Sequence, residues 1–137
     1  MRRLPALLAA LALPAAAHAS PRSVVEASFA AANRHDAAAM ASFYAADAVV
    51  VSSGECRPQI GPEAVRAGHE ALFKAMPDLR FAPQTWVEQG DRVALIFVAR
   101  SRALAGSGER TFADFFTVRR GRIVRDVTVF NAGRPCR

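Results

Sequence analysis

Apolar positions change period partway along the chain. Val25, Phe29 and Ala32 recur at helical spacing, with Val24, Ser28 and Ala31 beside them, and predict a helix that opens at 21–23 and fades at 33–35. Ser23 followed three residues on by Glu26 has capping-box spacing and nominates Ser23 as N-cap. Asp36 is placed to cap a short second helix over 37–44, whose apolar face carries Met40, Phe43 and Tyr44. A β-branched strand over 48–52 and a loop over 53–58 follow. Gly61-Pro62-Glu63 starts a third helix, because the N–H that proline lacks is unpaired in a first turn anyway. That helix runs to about Met76, and its apolar stripe is Val65, His69, Leu72, Phe73 and Met76.

From residue 80 the spacing turns to twos. Strands are predicted over 80–88, 91–102, 110–119 and 122–131, with Gly90-Asp91, Gly106-Ser107-Gly108 and Arg120-Gly121 at the turns. Helices first and hairpin-linked strands afterwards make the class α+β, with the helices on one face of a bent antiparallel sheet. Val93, Leu95 and Phe97 alternate with Ala94, Ile96 and Val98, so both faces of that strand are apolar. One face is expected to meet the helices; the other is a candidate homodimer face.

Residues 1–19 stand apart from this pattern. Arg2 and Arg3 precede an apolar run from Leu4 to Leu13, then Pro14, then Ala17-His18-Ala19. This is the three-part layout of a secretory signal peptide, with small residues at the cut. The run falls short of the ~20 residues a membrane span needs. Cleavage after Ala19 is expected, leaving a single domain over 20–137 that is secreted or periplasmic, with no membrane attachment afterwards. In an oxidising compartment Cys56 and Cys136, the two cysteines, are expected to pair, the alternative being two unpaired thiols.

The formal net charge is +6, and +4 without Arg2 and Arg3. All the basic residues but Lys74 are arginines, and the densest group, Arg119, Arg120, Arg122 and Arg125, surrounds a turn without interleaved aromatics. That reads as a solvated turn, and no nucleic-acid partner is expected. Three histidines and two distant cysteines have no metal-ligand spacing, so neither a metal nor another cofactor is expected.

The runs GPEAVRAGHEALFKAMPDLRF, VEQGDRVALIFVARSRALAG and DFFTVRRGRIVRDVTVFN, with AANRHDAAAMASFYAADAVVV upstream, resemble the SnoaL-like polyketide cyclases of the nuclear transport factor two-like superfamily. The resemblance covers residues 24–131. It implies a cone: a curved antiparallel or mixed sheet with three helices from the N-terminal half on its concave face, opening into an apolar pocket. It also implies a range of activities, from cyclases and ketosteroid isomerases to dehydratases, epoxide hydrolases and binding modules without turnover.

Asp114 is the first candidate for chemistry. Alternation puts it on one face with Phe112 and Phe116, where desolvation disfavours the anion and raises the pKa. Such a carboxyl either donates a proton to an oxyanion, as the resemblance implies, or sits in a buried ion pair with an arginine. His69, on the apolar stripe, is either a general base beside it or a core histidine. Tyr44, Trp86, Phe112 and Phe116 either line a ligand pocket or simply fill the core, and Ser52 and Asn131 are further ligand-contact candidates. The resemblance places a general base at the end of the first strand, where this chain has Ser52-Ser53, and an Asp near the end of the last, where it has Thr128 and Asn131. Two functions follow: cofactor-free acid–base chemistry (cyclisation, isomerisation or dehydration) on a small hydrophobic molecule, or an exported module that binds without turnover.

Overall fold

The computed structural model describes residues 19–131. Helix α1 (Pro21–Asn33) and the short α2 (Ala37–Ala41) precede strands β1 (Tyr44–Ser52) and β2 (Gln59–Ile60). Helix α3 (Gly61–Ala75) then leads into a meander of β3 (Arg80–Gln89), β4 (Arg92–Arg100), β5 (Glu109–Arg119) and β6 (Arg122–Val129). The six strands form one mixed sheet in the order β2-β1-β6-β5-β4-β3, parallel only between β1 and β6. The helices cover its concave face, the arrangement the sequence predicts.

Local chemistry sets most boundaries, and long-range pairing moves the rest. Ser20, not Ser23, caps α1: its side chain accepts from the Ser23 N–H at 3.1 Å, while the Ser23 hydroxyl donates to the Ser20 carbonyl. Pro21 explains the shift, since its fixed φ suits the first helical position and leaves Ser20 as the cap. Asp36 caps α2, as expected, by accepting from the Ala39 N–H at 2.9 Å. That helix ends at Ala41, and Tyr44 opens β1 instead. The cause is tertiary: the Ile123 N–H donates to the Phe43 carbonyl at 2.8 Å, and Tyr44 pairs with Ile123.

Phe29 ties helix to sheet, with edge-on contacts to Phe81, Trp86, Phe97 and Phe116 at centroid distances of 5.1–6.4 Å. Val25, Val65, Val93, Leu95 and Ile123 are fully buried in the same cluster, and Leu79 in a second one with Phe73 and Ala99. Each such aliphatic contributes roughly 1.5–3 kcal/mol through removal from water. Both faces of β4 are apolar as predicted, and the outer sheet face leaves Val87, Ile96, Phe115 and Val129 exposed.

Three ladder irregularities bend the sheet, one of them decisive for the site. Thr117 pairs with Arg125 but Val118 pairs with Ile123, so Val124 is an extra residue. A bulge of this kind reverses the side-chain alternation beyond it. Ile123 points inward, and counting in twos from it turns Asp126 outward; the bulge brings Asp126 inward, opposite Phe116.

Candidate functional site

Between α3 and the concave sheet lies a cavity of about 380 Å³. Its floor comes from alternate residues of β5 and β6. Asp114 sits directly opposite Thr128, and Asp126 opposite Phe116, so the two carboxyls are diagonal neighbours on one face. Both are buried, at 5% and 6% exposure, and each keeps one buried oxygen without a hydrogen-bond partner, Oδ1 in both. Tyr44 donates its hydroxyl to Asp126 Oδ2 at 2.9 Å.

Burial dominates the electrostatics of this pair. Desolvation, and then the charge on Asp126, push the Asp114 carboxyl up to about 8; the Thr128 hydroxyl opposes this only in part. Desolvation pushes Asp126 up to about 7, opposed by the Tyr44 hydrogen bond. The pair titrates as a unit. Its first charge settles on Asp126, where Tyr44 stabilises it, and Asp114 keeps its proton. Tyr44 itself is held well above its ordinary value by burial and by Asp126, so it stays a donor. No arginine or lysine pairs with Asp114 among the described residues, which removes the buried ion-pair alternative.

His69 lines the cavity from α3. Its Nδ1 lies 2.9 Å from the Val65 carbonyl, which can only accept, so the proton resides on Nδ1 and Nε2 is bare. Burial lowers its pKa and keeps the ring neutral near physiological pH. The arrangement therefore holds a proton donor, a carboxylate and a neutral imidazole around one apolar space, which is the equipment for moving protons on a ligand.

Tyr44, Ser52, Phe112 and Phe116 also line this space. Two expected contacts do not. Trp86 shares the concave face, opposite Leu95, but packs beneath the Arg22 guanidinium, 5.1 Å from ring centroid, and against Phe29 of α1, and does not reach the cavity. Asn131 is exposed beyond the end of β6. Ser52 accepts from the Gly54 N–H, and among the described residues no base is hydrogen-bonded to its hydroxyl to make it a nucleophile. Asp126 is absent from the candidates drawn from sequence, although counting in twos back from Thr128 reaches it. Among the described residues no cluster of three or more His, Cys, Asp or Glu side chains is placed to hold a metal, and no helix is long and apolar enough to cross a membrane.

At the mouth, Phe130 leans on Phe112 at 4.8 Å and Gly54 lies against its ring. A Cβ at Gly54 would come within 2.5 Å of Phe130 Cζ. In Gly54→Ala the ring must swing away, so affinity for an apolar probe is expected to change several-fold while stability falls by only about 1 kcal/mol. Thermal melts and calorimetric titration check this together. A second depression, of about 470 Å³, is a shallow surface feature beside the 101–108 loop, where Asp78 accepts from Ser101 and Arg102; no acid–base pair faces it.

The family described as SnoaL-like domain matches residues 25–126. No curated protein matches. Among solved structures, a polyketide cyclase candidate from Sinorhizobium meliloti is 27% identical with a TM-score of 0.69, over 77% of this chain and 93% of its own. IdmH, assigned in the same way and from Streptomyces antibioticus, is 25% identical with a TM-score of 0.70, over 81% and 91%. A Catenulispora acidiphila protein with a ketosteroid isomerase-like fold shares 16% identity at a TM-score of 0.69, over 78% and 84%, and speaks for the fold alone.

Proposed function

Because the chain belongs to the SnoaL-like domain family, whose cavity here carries two buried acids, we propose that it catalyses cofactor-free proton transfer on a small hydrophobic carbonyl compound. One observation carries this reading: Asp114 and Asp126 each present a buried, unpartnered oxygen on the floor of the apolar cavity. Burying two such oxygens away from any protein partner is costly for folding, and it leaves both free to meet a ligand. Asp126, as carboxylate, removes a proton from the carbon beside the carbonyl, and protonated Asp114 donates to the carbonyl oxygen as charge develops there. The resulting enol either takes a proton back at another carbon or closes a ring onto a second carbonyl. His69 serves as the second base from the opposite wall. The polyketide cyclase assignments of the similar proteins support this chemistry.

Deuterium uptake from heavy water into the fused bicyclic ketone 2-tetralone, followed by NMR, tests the proposal without knowledge of the natural substrate. Wild type is expected to accelerate exchange beside the carbonyl well beyond buffer. Binding of the ketone with exchange at the buffer rate would instead establish a module without turnover.

Export belongs to the same proposal. Residues 1–18 and Cys136 lie outside the described residues, so the signal peptide and the Cys56–Cys136 bridge rest on the sequence. Cleavage after Ala19 would leave the Ser20 cap of α1 intact. The exposed outer face around Ile96 and Phe115 supports a homodimer. Mass spectrometry of the exported protein is expected to show a chain starting at Ser20, lighter by two hydrogens than its reduced form, and a dimer under native conditions.

A further inference from the structure

Charge is unevenly distributed along the cavity. Asp114 and Asp126 occupy its deep end, and Arg110 at the mouth is the one cation among the described residues that line it. Arg110 and Asp114 share a face of β5 four residues apart, about 13 Å along a strand rising ~3.3 Å per residue. The arginines nearby are committed to acids, Arg100 to Glu109 and Arg102 to Asp78. Arg110 has no acidic partner among the described residues, and its guanidinium lies over the Phe130 ring, 5.6 Å from the centroid. Glu55, the acid on the same rim, is engaged through both oxygens by the Gln59 amide at 2.8 and 3.0 Å.

Below Arg110 the wall is aromatic. Phe130 leans on Phe112, and Phe112 stacks on Phe97 at 5.0 Å with 6° between planes. A flat apolar body suits this wall, and the charges give it one orientation. A carboxylate at the deep end would face two acids; at the mouth it meets a planar fork of N–H donors matched to its own geometry. The 13 Å between the two strand positions, shortened by the reach of both side chains, accommodates two fused rings.

We propose that the ligand is a planar ring compound bearing a carboxylate, gripped at the mouth by Arg110 so that its carbonyl end reaches the acid pair. This rests on the cavity being the ligand site, and makes Arg110 the residue that selects acids over neutral analogues. Calorimetric titration of the intact protein with 2-naphthoate and its methyl ester, at neutral pH, tests it. The acid is expected to bind about three- to tenfold more tightly than the ester, the range for a partly exposed charge-assisted pair. Salt should shrink that margin. Arg110→Gln is expected to abolish it, Arg110→Lys to reduce it, and Arg92→Gln, at the exposed start of β4 outside the cavity, to leave it unchanged. Equal affinity for acid and ester, or a margin surviving Arg110→Gln, would overturn the role of Arg110 while leaving the cavity assignment standing. No binding of either probe would overturn both.

Discussion

Asp126→Asn is expected to lower proton-transfer turnover by about 10²–10⁴-fold, the usual worth of a positioned general base, with little change in binding of the ketone. The amide keeps the shape of the side chain and still accepts from Tyr44, so the fold is retained. It has no lone pair basic enough to take a proton from carbon. Asp114→Asn is expected to cost a similar factor by a different route, through loss of the donor at the carbonyl oxygen. The two variants separate in their pH profiles. Removing the charge on Asp126 lowers the Asp114 pKa, because that charge is one of the causes holding it up. Residual activity in Asp126→Asn should therefore fall away at lower pH than in wild type. Rates within threefold of wild type in both variants would show that the acid pair is not the catalytic group.

The same acids make the protein less stable at high pH. Both carboxyls are raised in the folded state above their ordinary value of 3.8. Below that value folded and unfolded chains hold the protons equally. As pH rises from about 4 to 8 the unfolded chain releases them first, so unfolding becomes progressively easier. Each tenfold change in proton affinity is worth about 1.4 kcal/mol, and several kcal/mol are at stake at alkaline pH. Asp114→Asn removes much of that penalty. Its melting temperature is expected to exceed that of wild type by on the order of 10 °C near pH 9, a gain of about 2–4 kcal/mol, and to match it or fall slightly below near pH 5. Thermal melts across that range check the sign. A variant that loses turnover while gaining stability marks the pair as kept for chemistry rather than for folding.

The fold was legible because its signals are local. Helical spacing in 24–32, the Gly61-Pro62 start and the glycine turns at 90, 106–108 and 121 each carry their own physical cause. Asp114 was legible for the same reason: strand alternation over the five residues Phe112-Ala113-Asp114-Phe115-Phe116 fixes its face. Asp126 was legible only by counting back from Thr128; counting forward from Ile123 turns it outward, and the bulge at Val124 that decides between the two shows only in the β5–β6 register. Trp86 stands on the concave face of β3, opposite Leu95, yet misses the cavity because Phe29 of α1 packs against it, a contact set by where α1 docks. The early start of β1 likewise comes from pairing with Ile123, some eighty residues away, which no local window contains. His69 could be placed on its helix stripe, but the tautomer that makes it a base comes from the Val65 carbonyl and so from the folded helix.

The mechanism requires the cavity floor to keep a proton near neutral pH, on the Asp114–Asp126 pair. An NMR titration of carboxyl-labelled aspartate in the intact protein reads this directly. Two aspartate signals are expected to titrate near neutrality, one vanishing in Asp114→Asn and the other in Asp126→Asn, with Asp114 moving to lower pH once the Asp126 charge is gone. If every aspartate instead titrated at or below the ordinary carboxylate value, the pair would be fully charged at neutral pH, and the acid half of the mechanism would have no donor.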